Sequence, residues 1–245
     1  MNLDGKTVLL TGATGGLGRA IAAALAGRGA TLVLSSRKPD ELADLAASLP
    51  GEGHRTIVAD LAEEGAAERV VAEAGELDVL VANAGLGTPG RFREVGPEQI
   101  ADLVRVNLEA PIRMARAASG PMRERGSGHV VLIASLAAKA VNARSSLYSA
   151  TKAGLRTFGL GLRKDLARDG VGVSVVSPGF IRDAGMFARG GANPGLFGTS
   201  SPEEVGEGVA AAIERDRAEV EVAPIAQRVG ANFAHRRPRI AGRFY

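Results

Sequence analysis

The sequence predicts an α/β fold, a doubly wound parallel sheet of about seven strands with helices on both faces. Strand-like apolar runs alternate with helical patterns along the chain. The early runs are almost continuously apolar, as expected when both faces of a parallel sheet are covered. The strand-like runs are residues 7–10, 31–34, 55–59, 79–82, 129–133, 172–176 and 218–222. The helical patterns are residues 19–27, 40–49, 63–74, 97–125, 146–168 and 202–214.

The alternation extends over residues 1–223, and we expect them to form one domain, because no internal repeat or low-complexity linker divides them. Residues 183–201 fall outside it, since glycines are interspersed there with apolar side chains such as Met186 and Phe187. This composition is typical of a mobile apolar lid over a binding site. A long surface loop is the alternative.

A glycine-rich turn follows the first predicted strand and precedes an alanine-rich helix. Glycine lets the backbone approach a ligand closely, and a helix N-terminus offers free N–H groups to an anion. This order predicts the phosphate-binding start of a Rossmann-type dinucleotide fold. The spacing is TGxxxGxG, and a tight turn without a ligand is the alternative. The candidate residues are Gly12, Thr14, Gly15, Gly16, Leu17 and Gly18.

Tyr148 and Lys152 place a phenol and an ammonium four residues apart in a predicted helix. Side chains at this spacing leave the same helix face. A tyrosine hydroxyl has a pKa near ~10, and a nearby cation lowers that pKa by favouring the phenolate. A phenol of this kind can exchange a proton with a carbonyl or alcohol oxygen, so Tyr148 is predicted to be a general acid/base.

These two motifs, in this order, resemble the short-chain dehydrogenase/reductase family. The likeness runs from about residue 3 to about residue 223. Further matches are Asn83, Ala84 and Gly85, then Asn107, then Ser135 thirteen residues before Tyr148, and finally Pro178 and Gly179. The resemblance implies that residues 1–223 form an NAD(P)-binding catalytic domain, which interconverts a secondary alcohol and a ketone or aldehyde.

The resemblance also implies roles for four residues. Tyr148 would protonate a carbonyl oxygen while hydride arrives from the nicotinamide, and Lys152 would lower the pKa of Tyr148 and bind the nicotinamide ribose. Ser135 is expected to hydrogen-bond the same substrate oxygen. Asn107 would anchor a water that links Lys152 to solvent. Taken alone, a serine or asparagine at such a position is usually a turn former or a cap.

The end of the second predicted strand bears on the choice of cofactor. A carboxylate there favours NAD, whereas a cation favours the 2′-phosphate of NADP. Ser36, Arg37 and Lys38 stand at this position, and Asp40 fits the first turn of the next helix. The sequence therefore favours NADP over NAD, although many family members that bind NADP carry a basic residue at the position of Gly15.

Other candidate cofactor contacts follow later strands. Asp60, next to Leu61, is placed to accept a hydrogen bond from the adenine amino group. Residues 83–85 are expected to stabilise the sheet and line the adenosine ribose. The candidates after the sixth strand are Pro178, Gly179 and Ile181. Asp183 stands where many family members have a threonine that binds the nicotinamide carboxamide.

Composition excludes several classes of site. The chain of 245 residues has no cysteine, which rules out disulfides, thiolate metal sites and cysteine nucleophiles. His54, His129 and His235 are far apart, so we expect no metal site and a surface or loop position for each histidine. With no targeting leader and no apolar run of ~20 residues, we expect a cytoplasmic protein. The family resemblance implies a homodimer or homotetramer.

The net positive charge is concentrated in the tail, residues 224–245, which holds five arginines and no acidic residue, whereas the whole chain carries only +3. A local basic segment predicts an anionic partner rather than general affinity for nucleic acid, and no nucleic-acid ligand is expected. Residues 226–234 fit a short amphipathic helix that could contact a membrane peripherally. A disordered or subunit-packed tail is the alternative.

The leading functional hypothesis is an NADP(H)-dependent oxidoreductase acting on an apolar carbonyl or alcohol. A non-enzymatic dinucleotide-binding regulator, or a membrane- or partner-binding protein on the same fold, is the alternative. A third hypothesis is epimerisation or dehydration, which needs bound cofactor but leaves no net change in NADP(H).

Overall fold

The sheet contains seven strands that pair in parallel in the order β3-β2-β1-β4-β5-β6-β7. These results come from a computed structural model that describes residues 1–87, 90–141, 144–182, 198–237 and 239. The strands are β1 Thr7–Thr11, β2 Thr31–Ser36, β3 Arg55–Val58, β4 Val79–Ala82, β5 Gly128–Ile133, β6 Val171–Pro178 and β7 Glu219–Val222. The predicted fold class is therefore confirmed.

Helices cover both faces of the sheet. In chain order they are α1 Gly16–Ala26, α2 Pro39–Ser48, α3 Ala66–Ala74, α4 Pro97–Val104, α5 Ala110–Glu124, α6 Ser146–Asp165, α7 Pro202–Glu214 and α8 Ile225–Arg236. Short 3-10 turns lie at Phe92–Glu94 and Leu136–Ala138. The apolar core accordingly has two halves. Val8 and Leu10 of β1 pack in the half that includes α1 and α7, and Leu9 packs in the half that includes α3, α5 and α6.

The predicted helix 97–125 is interrupted by a π-helical turn, Arg105–Glu109, between α4 and α5. In this turn the Ala110 N–H donates to the carbonyl of Arg105, five residues back. Pro111 supplies a physical reason. It has no N–H to donate to the carbonyl of Asn107, the acceptor that an unbroken α-helix would use.

His129 corrects one expectation, because it is buried within the sheet and not on the surface or in a loop. It lies on β5 with 2% of its area exposed, opposite Gly172 on β6. A Cβ at Gly172 would overlap the imidazole ring. Glycine on the neighbouring strand therefore makes the room that this ring occupies, and the ring lies 2.8 Å from Ser174 Oγ.

The order of the strands locates the site. Successive strands run outward in one direction from β1 and in the other direction from β4, so the topology reverses between these two neighbours. In open parallel sheets, ligands bind in the crevice beyond the carboxyl ends of the strands at such a reversal. The glycine turn after β1 and residues 83–85 after β4 border this crevice.

Candidate active site

The glycine turn after β1 has the close backbone packing that a nucleotide loop requires. Gly12 has φ +63°, and a Cβ there would lie 2.8 Å from the Cα of Ala84. A Cβ at Gly18 would overlap the carbonyl of Gly12. Both positions therefore require glycine, one for the left-handed turn and the other for the approach of α1 to the strand.

The N-terminus of α1 opens at the end of this turn. Gly15 is its N-cap, and among the described residues no side chain caps the helix. The first helical hydrogen bond runs from Arg19 N to Gly15 O at 2.9 Å. The N–H groups of the first turn lack intrahelical acceptors, and the turn contains no acidic residue, so it fits an anion. The residues present therefore fit the pyrophosphate of a dinucleotide.

Asn83, after β4, is hydrogen-bonded to the glycine turn after β1 on the other side of the crevice. Its Nδ2 donates to the carbonyls of Thr11 at 2.9 Å and Gly12 at 3.2 Å. Thr11 Oγ1 accepts from the backbone N–H groups of Asn83 and Ala84, each at 3.2 Å. These bonds hold the glycine turn against the end of β4, where we predicted that residues 83–85 stabilise the sheet.

The cations after β2 are exposed and engaged to different degrees. Lys38 Nζ lies 2.6 Å from Glu41 Oε1, whereas Arg37 Nη1 lies 3.4 Å from Asp60 Oδ2. The hydrogen bond from Lys38 lowers the pKa of the Glu41 carboxyl. Arg37 is the less tightly held cation, and it extends from the strand end where a 2′-phosphate would need a partner.

Arg19 and Glu41 extend this charged cluster, and sequence reasoning missed both. Arg19 Nη2 donates to Glu41 at 3.0 Å, and its Nε donates to the carbonyl of Thr14 at 3.1 Å. The sequence positions of both residues could have indicated a place beside the cofactor site, because Arg19 follows the last motif glycine and Glu41 lies in the first turn of α2. Ser36 Oγ accepts from Lys38 N at 3.2 Å and shapes the same strand end.

The remaining predicted cofactor contacts lie after β3 and β6. Asp60 Oδ1 accepts from Ala62 N at 2.9 Å, and the neighbouring Leu61 is buried. Pro178 is the last residue of β6, and Gly179 N continues the pairing by donating to Val222 O at 3.0 Å. Ile181 is buried and bridges to Ser200. Asp183 lies outside the described residues.

Lys152 lies at the centre of the predicted catalytic group. It is 3% exposed, and its Nζ donates to the carbonyl of Ile133, the last residue of β5, at 2.8 Å. A Cβ at Gly85 would lie 3.5 Å from Lys152 Nζ and 3.3 Å from Asn107 Oδ1. The fold thus brings Lys152 and Asn107 together against Gly85.

Asn107 is fully buried on the π-helical turn, and its side chain clamps the chain that follows β4. Oδ1 accepts from Leu86 N at 2.7 Å, while Nδ2 donates to Leu86 O at 2.9 Å and to Thr151 Oγ1 at 3.3 Å. Its amide therefore joins this segment to α6 beside Lys152. The water relay through Asn107 stays a prediction.

Ser135 completes the group from the end of β5. Its Oγ accepts from Ala137 N at 3.1 Å and caps the 3-10 turn. The Ser135 hydroxyl also interacts with that of Tyr148 and lowers its pKa, which favours the phenolate. Ser135, Tyr148 and Lys152 thus converge although they come from two different elements.

The pKa shifts differ from the sequence expectation. Burial raises the pKa of Tyr148, and the bond from Ser135 offsets this only in part. Burial also lowers the pKa of Lys152 from 10.5 to about 8. The pKa of Tyr148 is therefore raised and not lowered as the sequence predicted, because desolvation outweighs the hydrogen bond from Ser135. A lowering contribution from Lys152 stays a prediction. Tyr148 holds its proton at neutral pH, as an acid poised to donate must.

Gln227 on α8 is a residue near the site that sequence reasoning missed. Its Oε1 accepts from Phe180 N at 3.0 Å, and its Nε2 donates to Gly198 O at 2.6 Å. It therefore joins Phe180, which precedes the predicted lid 183–201, to Gly198 within that lid. Residues 183–197 lie outside the described residues. No signal marked it, because the tail was assigned no part in the site.

The described part of the chain lacks two kinds of feature. None of its helices has the length and apolar character needed to cross a membrane. Its histidines and carboxylates form no group of three that could hold a metal ion.

The chain is similar to known short-chain dehydrogenases. A family model described as short chain dehydrogenase matches residues 6–194. Ketoacyl reductase HetN of a Nostoc species is 39% identical over 225 residues, covering 89% of this chain and 78% of that protein. The 3-oxoacyl-[acyl-carrier-protein] reductase FabG of Escherichia coli is 35% identical over 184 residues, covering 74% of this chain and 75% of that protein.

Solved structures of dehydrogenases are also similar to this chain. A short-chain dehydrogenase from Sphingobium yanoikuyae in complex with NADPH superposes with a TM-score of 0.83 at 29% identity, covering 96% of this chain and 95% of that one. The bulky-bulky ketone specific alcohol dehydrogenase from Comamonas testosteroni superposes with a TM-score of 0.80 at 26% identity, covering 96% and 94%.

Proposed function

Because the chain belongs to the short-chain dehydrogenase family of NAD(P)-dependent oxidoreductases, we propose that it uses NADP(H) to interconvert an apolar ketone or aldehyde and the corresponding alcohol. The observation that carries this proposal is the convergence of Ser135, Tyr148 and Lys152 beyond β5, beside the glycine turn that fits a dinucleotide. The family predicted from the sequence is confirmed by the match.

Tyr148 is the proposed acid. Its raised pKa keeps the phenol protonated at neutral pH, so it can give its proton to the substrate oxygen as negative charge develops there. Ser135, whose hydroxyl lowers the pKa of Tyr148, hydrogen-bonds the same substrate oxygen and holds it against Tyr148. The Lys152 ammonium, held by the carbonyl of Ile133, gives the phenolate a nearby positive charge. The dinucleotide, when bound, supplies or accepts the hydride.

NADP is the proposed cofactor on the strength of the cations after β2. Arg37 and Lys38 are 62% and 63% exposed at their side chains, so both are accessible to a 2′-phosphate. The pyrophosphate would be held by the glycine turn and the N-terminus of α1. The likeness to a dehydrogenase solved with NADPH supports the same choice.

The proposed substrate is an apolar carbonyl compound, and 3-oxoacyl compounds are the first candidates. Two relatives are named as ketoacyl reductases, and one similar structure is named as specific for bulky ketones. Phe92, after β4, and Val141, after β5, expose 66% and 59% of their areas on segments that leave the carboxyl edge of the sheet. Apolar side chains at this edge suit an apolar substrate better than a sugar.

The test follows NADPH oxidation by purified protein with a panel of 3-oxoacyl thioesters, bulky ketones and sugars, and repeats each assay with NADH. We expect turnover of the apolar ketones with NADPH and its near abolition in Tyr148→Phe. The matched control, Tyr245→Phe, changes the only other tyrosine. Equal turnover by the wild type and Tyr148→Phe excludes the assigned acid, and cofactor binding without any turnover favours the non-enzymatic regulator.

We also propose a cytoplasmic homodimer or homotetramer, on the likeness to the family. Light scattering coupled to size exclusion measures the oligomeric state directly.

A further inference from the structure

Helix α8 displays a row of large apolar side chains to solvent. Ile225, Val229 and Phe233 are 75%, 63% and 47% exposed. They are spaced four residues apart, so they lie along one face of the helix. We call these three residues the apolar stripe. Most described residues of their size are buried, which makes three in a row on one short helix unusual for this protein.

The opposite face of α8 is packed on the domain. Gln227, Ala231 and Ala234 are 7%, 4% and 9% exposed. Asn232 Nδ2 lies within hydrogen-bond distance of the Glu221 carboxylate, which also pairs with the nearly buried Lys139 at 2.5 Å. The helix is therefore anchored, and the exposure of the apolar stripe belongs to the folded domain.

Arginines border the apolar stripe. Arg228, Arg236 and Arg237 are exposed and line, with the stripe, an open groove of about 610 Å³. Glu221 also lines this groove, but it is only 11% exposed at its side chain and lies 3.5 Å from Arg228. Residues 224–245 contain no acidic residue. The accessible charge around the stripe is therefore positive.

We propose that α8 docks this protein on an anionic membrane surface, with the apolar stripe in the interfacial layer and the arginines on lipid phosphates. Apolar side chains flanked by cations are the pattern of an interfacial helix, since arginine can place its guanidinium at the headgroups while its stem covers apolar surface. The docking stands on these surface features and does not depend on the proposed reaction.

Other occupants fit the charges less well. A second copy of the chain would bring the same arginine-rich face against itself across a two-fold axis, without exposed acids on that face to pair with the guanidiniums. A nucleic acid would use the arginines but leave the apolar stripe in water. An anionic bilayer satisfies both parts of the surface.

The position of α8 gives this docking a consequence for the site. The helix follows β7 at the carboxyl edge of the sheet, and Gln227 bonds it to Phe180, just before the predicted lid, and to Gly198 within it. Lys139, four residues after Ser135, lies 3.4 Å from Asn232 on the same helix. Docking would therefore hold the active-site edge near the bilayer, within short reach of apolar compounds dissolved there.

The test is sedimentation of the full chain with phosphatidylcholine vesicles that contain or lack phosphatidylglycerol. We expect binding to the anionic vesicles only, weakened by salt. The double substitution Val229→Glu and Phe233→Glu should reduce that binding at least tenfold, while turnover of a water-soluble ketone persists. Val58→Glu, at an exposed valine on β3, is the matched control and should bind as the wild type does.

Two results would overturn the proposal. One is no sedimentation with anionic vesicles, and the other is equal sedimentation of the double variant. Light scattering on the same samples distinguishes the main alternative, because a dimer that the double variant loses would assign the stripe to a second copy. Retained turnover in the variant keeps the proposed reaction standing in either case.

Discussion

Lys152 Nζ lies 5.9 Å from the centre of the Tyr148 ring, so an ammonium and a phenol face one another in a region where burial opposes charge on both. Burial favours the protonated form of the phenol. The ammonium donates a hydrogen bond to the carbonyl of Ile133. A negative charge formed on Tyr148 would relieve the desolvated ammonium. The ammonium is therefore placed to stabilise the phenolate that forms when Tyr148 gives up its proton.

Replacing Lys152 should show how much the burial of its ammonium destabilises the folded protein. At pH 7 we expect Lys152→Met to raise the free energy of unfolding by about 2 kcal/mol, because the depressed pKa implies roughly 3 kcal/mol of strain and the lost Ile133 hydrogen bond offsets part of it. Turnover should fall sharply at the same time.

The stability that Lys152→Met gains over the wild type should depend on pH. Between pH 8 and 10.5 the unfolded chain still binds a proton at Lys152 and the folded chain does not. The stability of the wild type therefore rises as pH rises, and the difference in stability between the variant and the wild type becomes smaller. Urea unfolding at pH 7 and pH 10 measures this, with Lys38→Met at an exposed lysine as control. A variant less stable than the wild type at pH 7 would contradict the prediction.

Arg37 should decide between the two dinucleotides. We expect Arg37→Gln to raise the KM for NADPH by about 10- to 100-fold and to leave the KM for NADH unchanged, since hydrogen bonds to a charged group contribute about 1.5–3 kcal/mol. Lys38→Gln is the matched comparison and should act more weakly, because Lys38 is already bound to Glu41. An equal loss with both dinucleotides would remove Arg37 from the phosphate site.

His129 should make the protein sensitive to acid. Burial lowers its pKa from 6.5 to about 4, so between these values the unfolded state binds the extra proton and stability falls as pH falls. We expect up to about 3 kcal/mol to be lost by pH 4 through this residue. Urea unfolding of His129→Gln should show a shallower loss, and His235→Gln, at an exposed histidine on α8, should match the wild type.

Ser174 and Ser177 on β6 should respond oppositely to loss of the hydroxyl. Ser174 Oγ lies 2.8 Å from the His129 ring and 2.6 Å from Arg217 O, so Ser174→Ala should cost about 1–3 kcal/mol. Ser177 Oγ is buried without a hydrogen-bond partner in the described residues. Ser177→Ala should therefore be neutral or stabilising in thermal unfolding, and a large loss there would reveal a partner.

Gln227 should act as a positioning residue for substrate. Gln227→Ala removes the bonds to Phe180 N and Gly198 O, and we expect the KM for the ketone to rise several-fold with a smaller change in kcat. Gln227→Glu keeps the acceptor but loses the donor, so its KM should be intermediate. A fall in Tm with an unchanged KM would instead indicate a purely structural role.

Much of the fold followed from local pattern. The apolar run of β1 indicated a strand covered on both faces, and the structure places Val8 and Leu9 in opposite halves of the core. The π-helical turn could not be anticipated from helical periodicity, which continues through it. At this turn Pro111 lacks the N–H that an unbroken α-helix would donate to the carbonyl of Asn107.

The C-terminal segment shows the same limit. Residues 226–234 were expected as a short amphipathic helix, and α8 extends over Ile225–Arg236. Its sequence could not indicate that Gln227 would bond the backbone both at Phe180, before the predicted lid, and at Gly198, within it. In the chain, Gln227 lies 29 positions after Gly198 and 47 positions after Phe180.

The sequence by itself determined the alternation of strands and helices, the glycine turn, and the spacing of Tyr148 and Lys152, because each depends on neighbours along the chain. The tertiary structure decided which groups lose water. The raised pKa of Tyr148, the lowered pKa of Lys152 and the burial of His129 opposite Gly172 all arise where distant segments pack together. Desolvation depends on every element around a group, and sequence spacing cannot measure it.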